Sequence, residues 1–233
     1  MSSNIYTDGT YLNNNPGWGI KDSEWKAKII LKLLQKNAIA VEKITEVGCG
    51  AGGILKSLSE NIKYPVHFFG YDISPQAIAL AKVKEKENLR FFNEDFTATS
   101  NNHSDLLLMI DVMEHVEDYY HFLEKLKPGS NYFIFHVPLD LSCRTILKPH
   151  VLLQQRRTVG HIHYFSKEMV LWLLKDKGFE ILDWIYTKPV TDEEPSDSFK
   201  RSVKKYLRNI SFSIHKDISA KLWGGYSMMI LAK

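Results

Sequence analysis

Lys43-Ile44-Thr45-Glu46-Val47-Gly48-Cys49-Gly50-Ala51-Gly52-Gly53 is the stretch on which the fold turns. Lys43 to Val47 predicts a short strand, and a helical run from Ile54 to Glu60 follows the glycines directly. Glycines between a strand and a helix let the chain turn tightly and let a ligand approach the backbone at the helix N-terminus. Gly48, Gly50 and Gly53 satisfy the dinucleotide-binding spacing, so the loop alone does not choose its ligand. Glu46 discriminates: a carboxylate here would repel a pyrophosphate but favours a ligand carrying ammonium and sulfonium charges. A purely structural acid at a strand end is the plainer alternative, weakened because acids are seldom buried without a partner. Asp72 ends the next predicted strand, Val66 to Tyr71, where an acid can accept hydrogen bonds from both hydroxyls of a ribose.

Outward from this stretch the chain alternates. Ser74-Pro75 supplies a cap and a first-turn proline for a helix to about Glu85. Leu89 to Asn93 and Asp105 to Ile110 are further strands. The second is apolar without alternation, as suits a central strand covered on both faces. A helix from Tyr119 to Leu126 stops at Lys127-Pro128-Gly129, and Asn131 to Val137 is a fifth strand. Such alternation predicts a doubly wound α/β fold with a parallel sheet and helices on both faces. Ser166 then caps a helix to about Asp176, and Phe179 to Tyr186 and Tyr226 to Leu231 read as two more strands. The N-terminal side predicts an irregular arm, then a helix capped at Asp22 or Ser23 whose apolar stripe includes Trp25, Ile29, Ile30, Leu33 and Leu34.

Composition sets limits. The 233 residues are 44% hydrophobic, enough for one full core, and carry a net charge of only +3, which does not point to nucleic acid. No apolar run reaches the roughly 20 residues of a membrane span, and Met1 to Tyr6 lacks a signal-peptide layout. Two cysteines, Cys49 and Cys143, make no disulfide framework, so a cytoplasmic setting is expected.

Glu46-Val-Gly-Cys-Gly-Ala-Gly, Tyr71-Asp72-Ile73-Ser74, Glu94-Asp95-Phe96 and Asp111-Val112-Met113-Glu114-His115-Val116 occur in order, followed by Leu126-Lys127-Pro128-Gly129. This succession resembles the motifs of class I S-adenosylmethionine-dependent methyltransferases, across roughly residues 40 to 190 and the final hairpin. The resemblance implies a Rossmann-like seven-stranded sheet whose last strand runs antiparallel between its neighbours. It also implies the cofactor S-adenosylmethionine, leaving as S-adenosylhomocysteine. Glu46 and the turn Gly48, Cys49, Gly50 and Gly52 would hold its methionine part. Asp72 would bind the ribose, Ile73 and Phe96 would pack by the adenine, and Asp95 would contact the adenine amino group. Asp111 and Val112 would border the sulfonium.

An oxygen or nitrogen acceptor can need a base, and histidine suits neutral pH. Candidates are His115, His136, Asp140, His161 and His163, with Tyr164 beside them. His115 and the histidines of the 160–166 segment have structural alternatives. His161 and His163 would share one strand face, but with no third and fourth ligand at diagnostic spacing no metal is expected. Residues 1–40 form the arm and first helix, 41–138 the cofactor-binding core, 139–165 an insertion over the acceptor site, and 166–233 the C-terminal half of one domain. Tyr11 and Trp18 would make a lid, while Trp25 is expected to pack. The stretch from Phe199 to Lys221 predicts a basic amphipathic helix, expected to pack its apolar stripe and solvate its charges. With Lys148, Arg156 and Arg157 it raises an anionic, sugar-linked small-molecule acceptor, and the arm's Asn15-Pro16-Gly17-Trp18 resembles arms of relatives in surface-glycan and secondary-metabolite pathways. Competing classes are an RNA or protein methyltransferase, a non-catalytic binding module and a nicotinamide dehydrogenase, the last opposed by Glu46.

Overall fold

Seven strands make one sheet in the order β3-β2-β1-β4-β5-β7-β6. In the computed structural model, which describes residues 3–98, 103–188 and 199–233, these are β1 (Lys43–Val47), β2 (His67–Tyr71), β3 (Leu89–Phe92), β4 (Ser104–Ile110), β5 (Ser130–Leu139), β6 (Ile181–Thr187) and β7 (Tyr226–Ala232). The first five pair in parallel. β7 lies antiparallel between β5 and β6, as the family resemblance implies. The helices are α1 (Thr10–Asn14), α2 (Ile20–Lys36), α3 (Gly53–Asn61), α4 (Pro75–Lys82), α5 (Tyr119–Leu126), α6 (Cys143–Leu147), α7 (His150–Thr158), α8 (Lys167–Asp176), α9 (Phe199–Ile214) and α10 (Lys216–Trp223).

The unbroken apolar run in β4 has a direct cause. Leu106 and Leu108 join one buried cluster with Ile30 and Leu33 of α2, Leu55 and Leu58 of α3, and Ile78 of α4. Leu107 and Met109 join a second, with Leu123 and Leu126 of α5 and Val170, Leu173 and Leu174 of α8. Both faces are covered, so neither parity of the strand is free to be polar. Each such side chain contributes about 1.5–3 kcal/mol by leaving water. Strand order reverses between β1 and β4, and ligands of open α/β sheets bind in the crevice at such a reversal.

Two expectations for the N-terminal side change. The arm is not irregular: a 3₁₀ turn spans Ser3–Tyr6 and α1 follows. The next helix starts at Ile20 after Gly19, ahead of both expected caps. Ser23 is buried against the loop, where a Cβ on Gly53 would come within 2.3 Å of its hydroxyl. Local cap chemistry lost to this contact between helix and loop. Elsewhere it holds: the Ser74 hydroxyl accepts from the Ala77 N–H, and Asp118 accepts from the His121 N–H. The insertion after β5 is helical, comprising α6 and α7. Residues 189–198 of the excursion, and the side chains of Phe199, Lys200, Arg201 and Lys204, lie outside the described part.

α9 departs from the expected arrangement. Phe212 stacks on Tyr226 at 4.7 Å, and the Arg208 guanidinium lies over the same ring. Yet Val203, Tyr206, Leu207, Ile210 and Ile214 stay exposed, so much of the apolar stripe is not packed. No helix among the described residues is long and apolar enough to cross a membrane.

Gly52 is the hinge between β1 and α3, with φ +73°, and a Cβ there would meet the Phe91 ring at 2.4 Å. Gly52→Ala combines left-handed strain with overpacking and is expected to cost about 2–4 kcal/mol in urea unfolding. A loss below about 1 kcal/mol would mean that this turn relaxes freely.

Candidate active site

A cavity of about 470 Å³ opens at the carboxyl ends of the central strands. Val47 and Gly48 line it after β1, Asp72 and Ile73 after β2, Asp95 and Phe96 after β3, and Asp111 and Val112 after β4. Four parallel strands ending at one edge bring these distant motifs together. Tyr6, Tyr11 and Trp18 line the cavity from the N-terminal arm, with Tyr11 and Trp18 rings 4.8 Å apart. Trp25 packs edge-on against His136, as expected.

The glycine turn is shaped by Asp72. One Asp72 oxygen accepts from the Gly50 N–H and the other from the Ser74 N–H, each at 2.8 Å. Burial raises its pKa despite these two bonds. Gly48 has φ +70°, and a Cβ there would strike Val112 at 2.6 Å. Gly50 has φ +53°, and its missing Cβ would meet Trp18 at 2.6 Å. The Trp18 ring thus sits on the glycine, with its own backbone in the left-handed region at φ +44°.

Four of the expected cofactor residues are absent from the cavity lining: Glu46 lies buried beneath it, Gly50 is covered by Trp18, and Cys49 and Gly52 turn to the core. Cys49 is buried in the core, and its N–H donates to the Tyr71 carbonyl. Gly52 donates to the Cys49 carbonyl and serves packing against Phe91. Asp95 lines the cavity while accepting from the Thr97 N–H and hydroxyl. Ile73 presents an exposed apolar side chain there, and Phe96 sits edge-on to Tyr71.

Glu46 is buried at the root of the turn, and its Oε2 has no hydrogen-bond partner among the described residues. Burial pushes its carboxyl well above the usual range, with Asp72 and Asp111 adding to the effect and Lys26 opposing it. A buried carboxyl oxygen without a partner suits a ligand ammonium. The residues present therefore fit S-adenosylmethionine: a buried acid, a glycine cradle, a ribose acid and an apolar adenine flank.

Asp111 carries the densest network. Its backbone is left-handed at φ +56°, which aspartate tolerates better than most residues. One oxygen pairs with Lys26 of α2 at 2.5 Å, the other with His136 Nδ1 of β5 at 2.5 Å. His136 Nε2 meets the Thr187 hydroxyl of β6 at 2.8 Å. Burial would raise the Asp111 pKa, but His136 and Lys26 outweigh it and hold the carboxyl far below its usual range. His136 is thus absorbed in a buried network and does not line the cavity. Lys26 and Thr187 carry no signal in the sequence; only the crossing of α2 over the sheet edge reveals them.

The other candidates divide. His115 lines the cavity. Its Nδ1 lies 2.8 Å from the Tyr6 hydroxyl and 3.2 Å from the Gly160 carbonyl. Burial pushes its pKa down to about 4, with His161 adding to the effect. His161 Nδ1 lies 2.8 Å from Asp140, which also accepts from Gln155. His163 turns away toward the Glu117 carbonyl and the Tyr119 ring, so the two histidines of that segment do not act on one face. The Tyr164 hydroxyl donates to the Leu152 carbonyl. Lys148, Arg156 and Arg157 are exposed and absent from the cavity lining, which instead carries Asp72, Glu94, Asp95, Asp111, Glu117 and Asp118 against Lys125.

A seven-stranded sheet of this order, with acids and glycines converging on its switch point, defines a Rossmann-like methyltransferase-type protein. Residues 20–183 match the methyltransferase domain family, and the chain belongs to that family. Among solved structures it is similar to magnesium protoporphyrin IX methyltransferase of Synechocystis PCC 6803 with bound SAH, at 16% identity and TM-score 0.60, covering 90% of this chain and 82% of that one. It is also similar to N-methyltransferase NodS of Bradyrhizobium japonicum in complex with S-adenosyl-L-homocysteine, at 16% identity and TM-score 0.60, covering 96% and 94%. The plantazolicin methyltransferase BpumL, in complex with a monoazolic desmethylPZN analog and SAH, matches at 14% identity and TM-score 0.62, covering 100% and 93%. A search of curated proteins by sequence finds no match.

The Asp111 pairing makes stability pH-dependent. A depressed folded-state pKa contributes stability that is present above the unfolded value of about 3.9 and lost as pH falls through the folded one. Asp111→Asn leaves Lys26 without its charge partner; with 31% of the Asp111 side chain exposed, the expected cost at pH 7 is about 2–3 kcal/mol. Urea titrations of wild type and variant should converge as pH drops below about 4. A gap independent of pH would remove the charge from this account.

Proposed function

We propose that this methyltransferase moves a methyl group from S-adenosylmethionine to an oxygen or nitrogen of a small molecule. The cofactor supplies an electrophilic methyl on a sulfonium, and the protein supplies alignment and a dry site. Glu46 receives the ammonium, Gly48 admits the amino-acid part, the Gly50 N–H holds Asp72 in place, and Asp72 takes the ribose hydroxyls. Ile73, Asp95 and Phe96 flank the adenine, and Asp111 and Val112 border the reacting end. The carrying observation is the buried Glu46 at the root of the glycine turn, whose Oε2 has no hydrogen-bond partner among the described residues.

A cavity of about 470 Å³ roofed by Tyr6, Tyr11 and Trp18 suits a small acceptor better than a nucleic-acid or protein chain. Its acidic lining favours a neutral or cationic acceptor, such as a sugar hydroxyl or an amine, over the phosphorylated one that the basic segments raised. His115, with its pKa pushed down to about 4, is too weak a base to take a proton efficiently at neutral pH. His136 is committed to Asp111 and Thr187. Neither is the general base in this scheme. Asp140 acts as a positioning residue for His161.

Calorimetric titration with S-adenosylhomocysteine, using NADH as the control ligand, tests the cofactor assignment. Glu46 has a raised pKa in the free protein, and a bound ammonium favours its ionised form. Binding therefore releases up to about one proton, read as a dependence of heat on the buffer's ionisation enthalpy. Glu46→Gln should abolish that dependence and weaken binding roughly 10–100-fold, the worth of a charged hydrogen bond. NADH binding without S-adenosylhomocysteine binding would sink the proposal. Normal affinity in the variant would remove Glu46 from the site.

A further inference from the structure

Glu114 follows β4 in the short 3₁₀ turn Met113–His115 and is fully buried. Neither carboxylate oxygen has a hydrogen-bond partner among the described residues. Its Oε1 is instead 3.9 Å from His115 Nε2 and 4.0 Å from His161 Nε2, too far for hydrogen bonds. His161 arrives from the far side of the insertion. The Glu114 carbonyl accepts from the N–H groups of Ile162 and His163 at 2.9 and 3.1 Å, which stitches that loop onto the turn.

The outer nitrogens fix which ring atoms face inward. The Gly160 carbonyl beside His115 Nδ1 can only accept, so that nitrogen carries a proton. The Tyr6 hydroxyl in turn donates to the Val159 carbonyl. Asp140 accepts from His161 Nδ1 in the same way. Both Nε2 atoms thus offer lone pairs toward a carboxylate that offers more of them. Three lone-pair donors facing each other in a buried space repel unless a proton or a metal cation sits among them. All three ligand atoms lie within 4.8 Å of one another. Bonds of about 2.0–2.2 Å call for ligand atoms roughly 3–3.5 Å apart, so side-chain shifts of about an ångström or less complete the shell. The outer contacts are those that orient metal-bound imidazoles: a carboxylate on one ring, a carbonyl and a phenol on the other.

We propose that Glu114, His115 and His161 form a binding site for a divalent first-row transition-metal cation. Two imidazoles and one carboxylate suit borderline cations such as zinc, cobalt, iron or manganese, and leave positions open for a further ligand. His115 belongs both to this set and to the cavity wall, which places the set beside the cavity. An acceptor oxygen or nitrogen is the ligand class it would take; that last step depends on the methyl-transfer proposal above, whereas the metal site does not.

The test is a cobalt(II) titration of tag-free, chelator-treated full-length protein, followed by visible absorption. The expected result is a saturable band at one equivalent, displaced by zinc. His161→Ala and Glu114→Gln should abolish it, and Asp140→Asn should weaken cobalt binding about 10–100-fold by freeing the ring it orients. Each variant is checked for fold by circular dichroism, and His161→Ala, on a half-buried loop, keeps the test usable if Glu114→Gln unfolds. No saturable band in the wild type, or an unchanged band in folded His161→Ala, overturns the site. S-adenosylhomocysteine calorimetry on the same samples separates the two proposals: retained cofactor binding without cobalt binding rejects the metal alone, and the reverse rejects the cofactor assignment alone.

Discussion

Asp111 stands where β4 ends, with a lysine from α2 on one oxygen and a histidine from β5 on the other. Through His136 the same network reaches Thr187 on β6. A helix that precedes the sheet in sequence is thereby tied to the sheet's centre and to its far edge. The two partners also hold Asp111 in a left-handed backbone, and that conformation starts the turn leading to Glu114 and His115. Without them the carboxylate would be too costly to keep at the cavity wall.

The arm and the insertion depend on that frame. α2 carries the arm back over the glycine turn, so that Trp18 covers Gly50 and Tyr6 meets His115. From the other side, Asp140 at the end of β5 takes His161, and the Glu114 carbonyl takes the loop beyond Gly160. Both additions outside the common core therefore close on one turn. Loops carried on a rigid sheet edge are the usual place for acceptor selection, and here two of them share a single anchoring element.

Burial without compensation marks two carboxyls beside the cavity. Glu46 and Glu114 both have unpartnered oxygens and raised pKa values, because burial disfavours their charged forms and Lys26 opposes it only in part. Asp111, equally close to the cavity, has two partners and a depressed value. Three acids close to one another thus divide by partner supply: Asp111 is held by protein partners, and Glu46 and Glu114 are the two for which outside positive charge is proposed above. The general cost of an unpaired buried charge makes such groups poor choices for stability alone.

Much of this was legible in the chain itself. The unalternating run of β4, the glycines after β1 and the acids Asp72, Asp95 and Asp111 are consequences of local periodicity and of motif order, which survive in one dimension. So is the capping at Ser74. The failures share a cause: the deciding partner is distant in sequence. Ser23 is a packing residue because α2 crosses Gly53. Cys49 and Gly52 face the core because Tyr71 and Phe91 lie behind the turn. His136 looked like a base at a strand end until Lys26, Asp111 and Thr187 enclosed it. His161 and His163, two apart, suggested a shared face, yet a loop without strand pairing sends one to Asp140 and the other to Glu117. Sequence alone determined the strand–helix rhythm, the sheet's covered faces and the placing of acids at the strand ends, because each follows from neighbours along the chain. Only tertiary structure decided which histidines meet which carboxylates, because those meetings are made by loops whose course is set by contacts from the other end of the molecule.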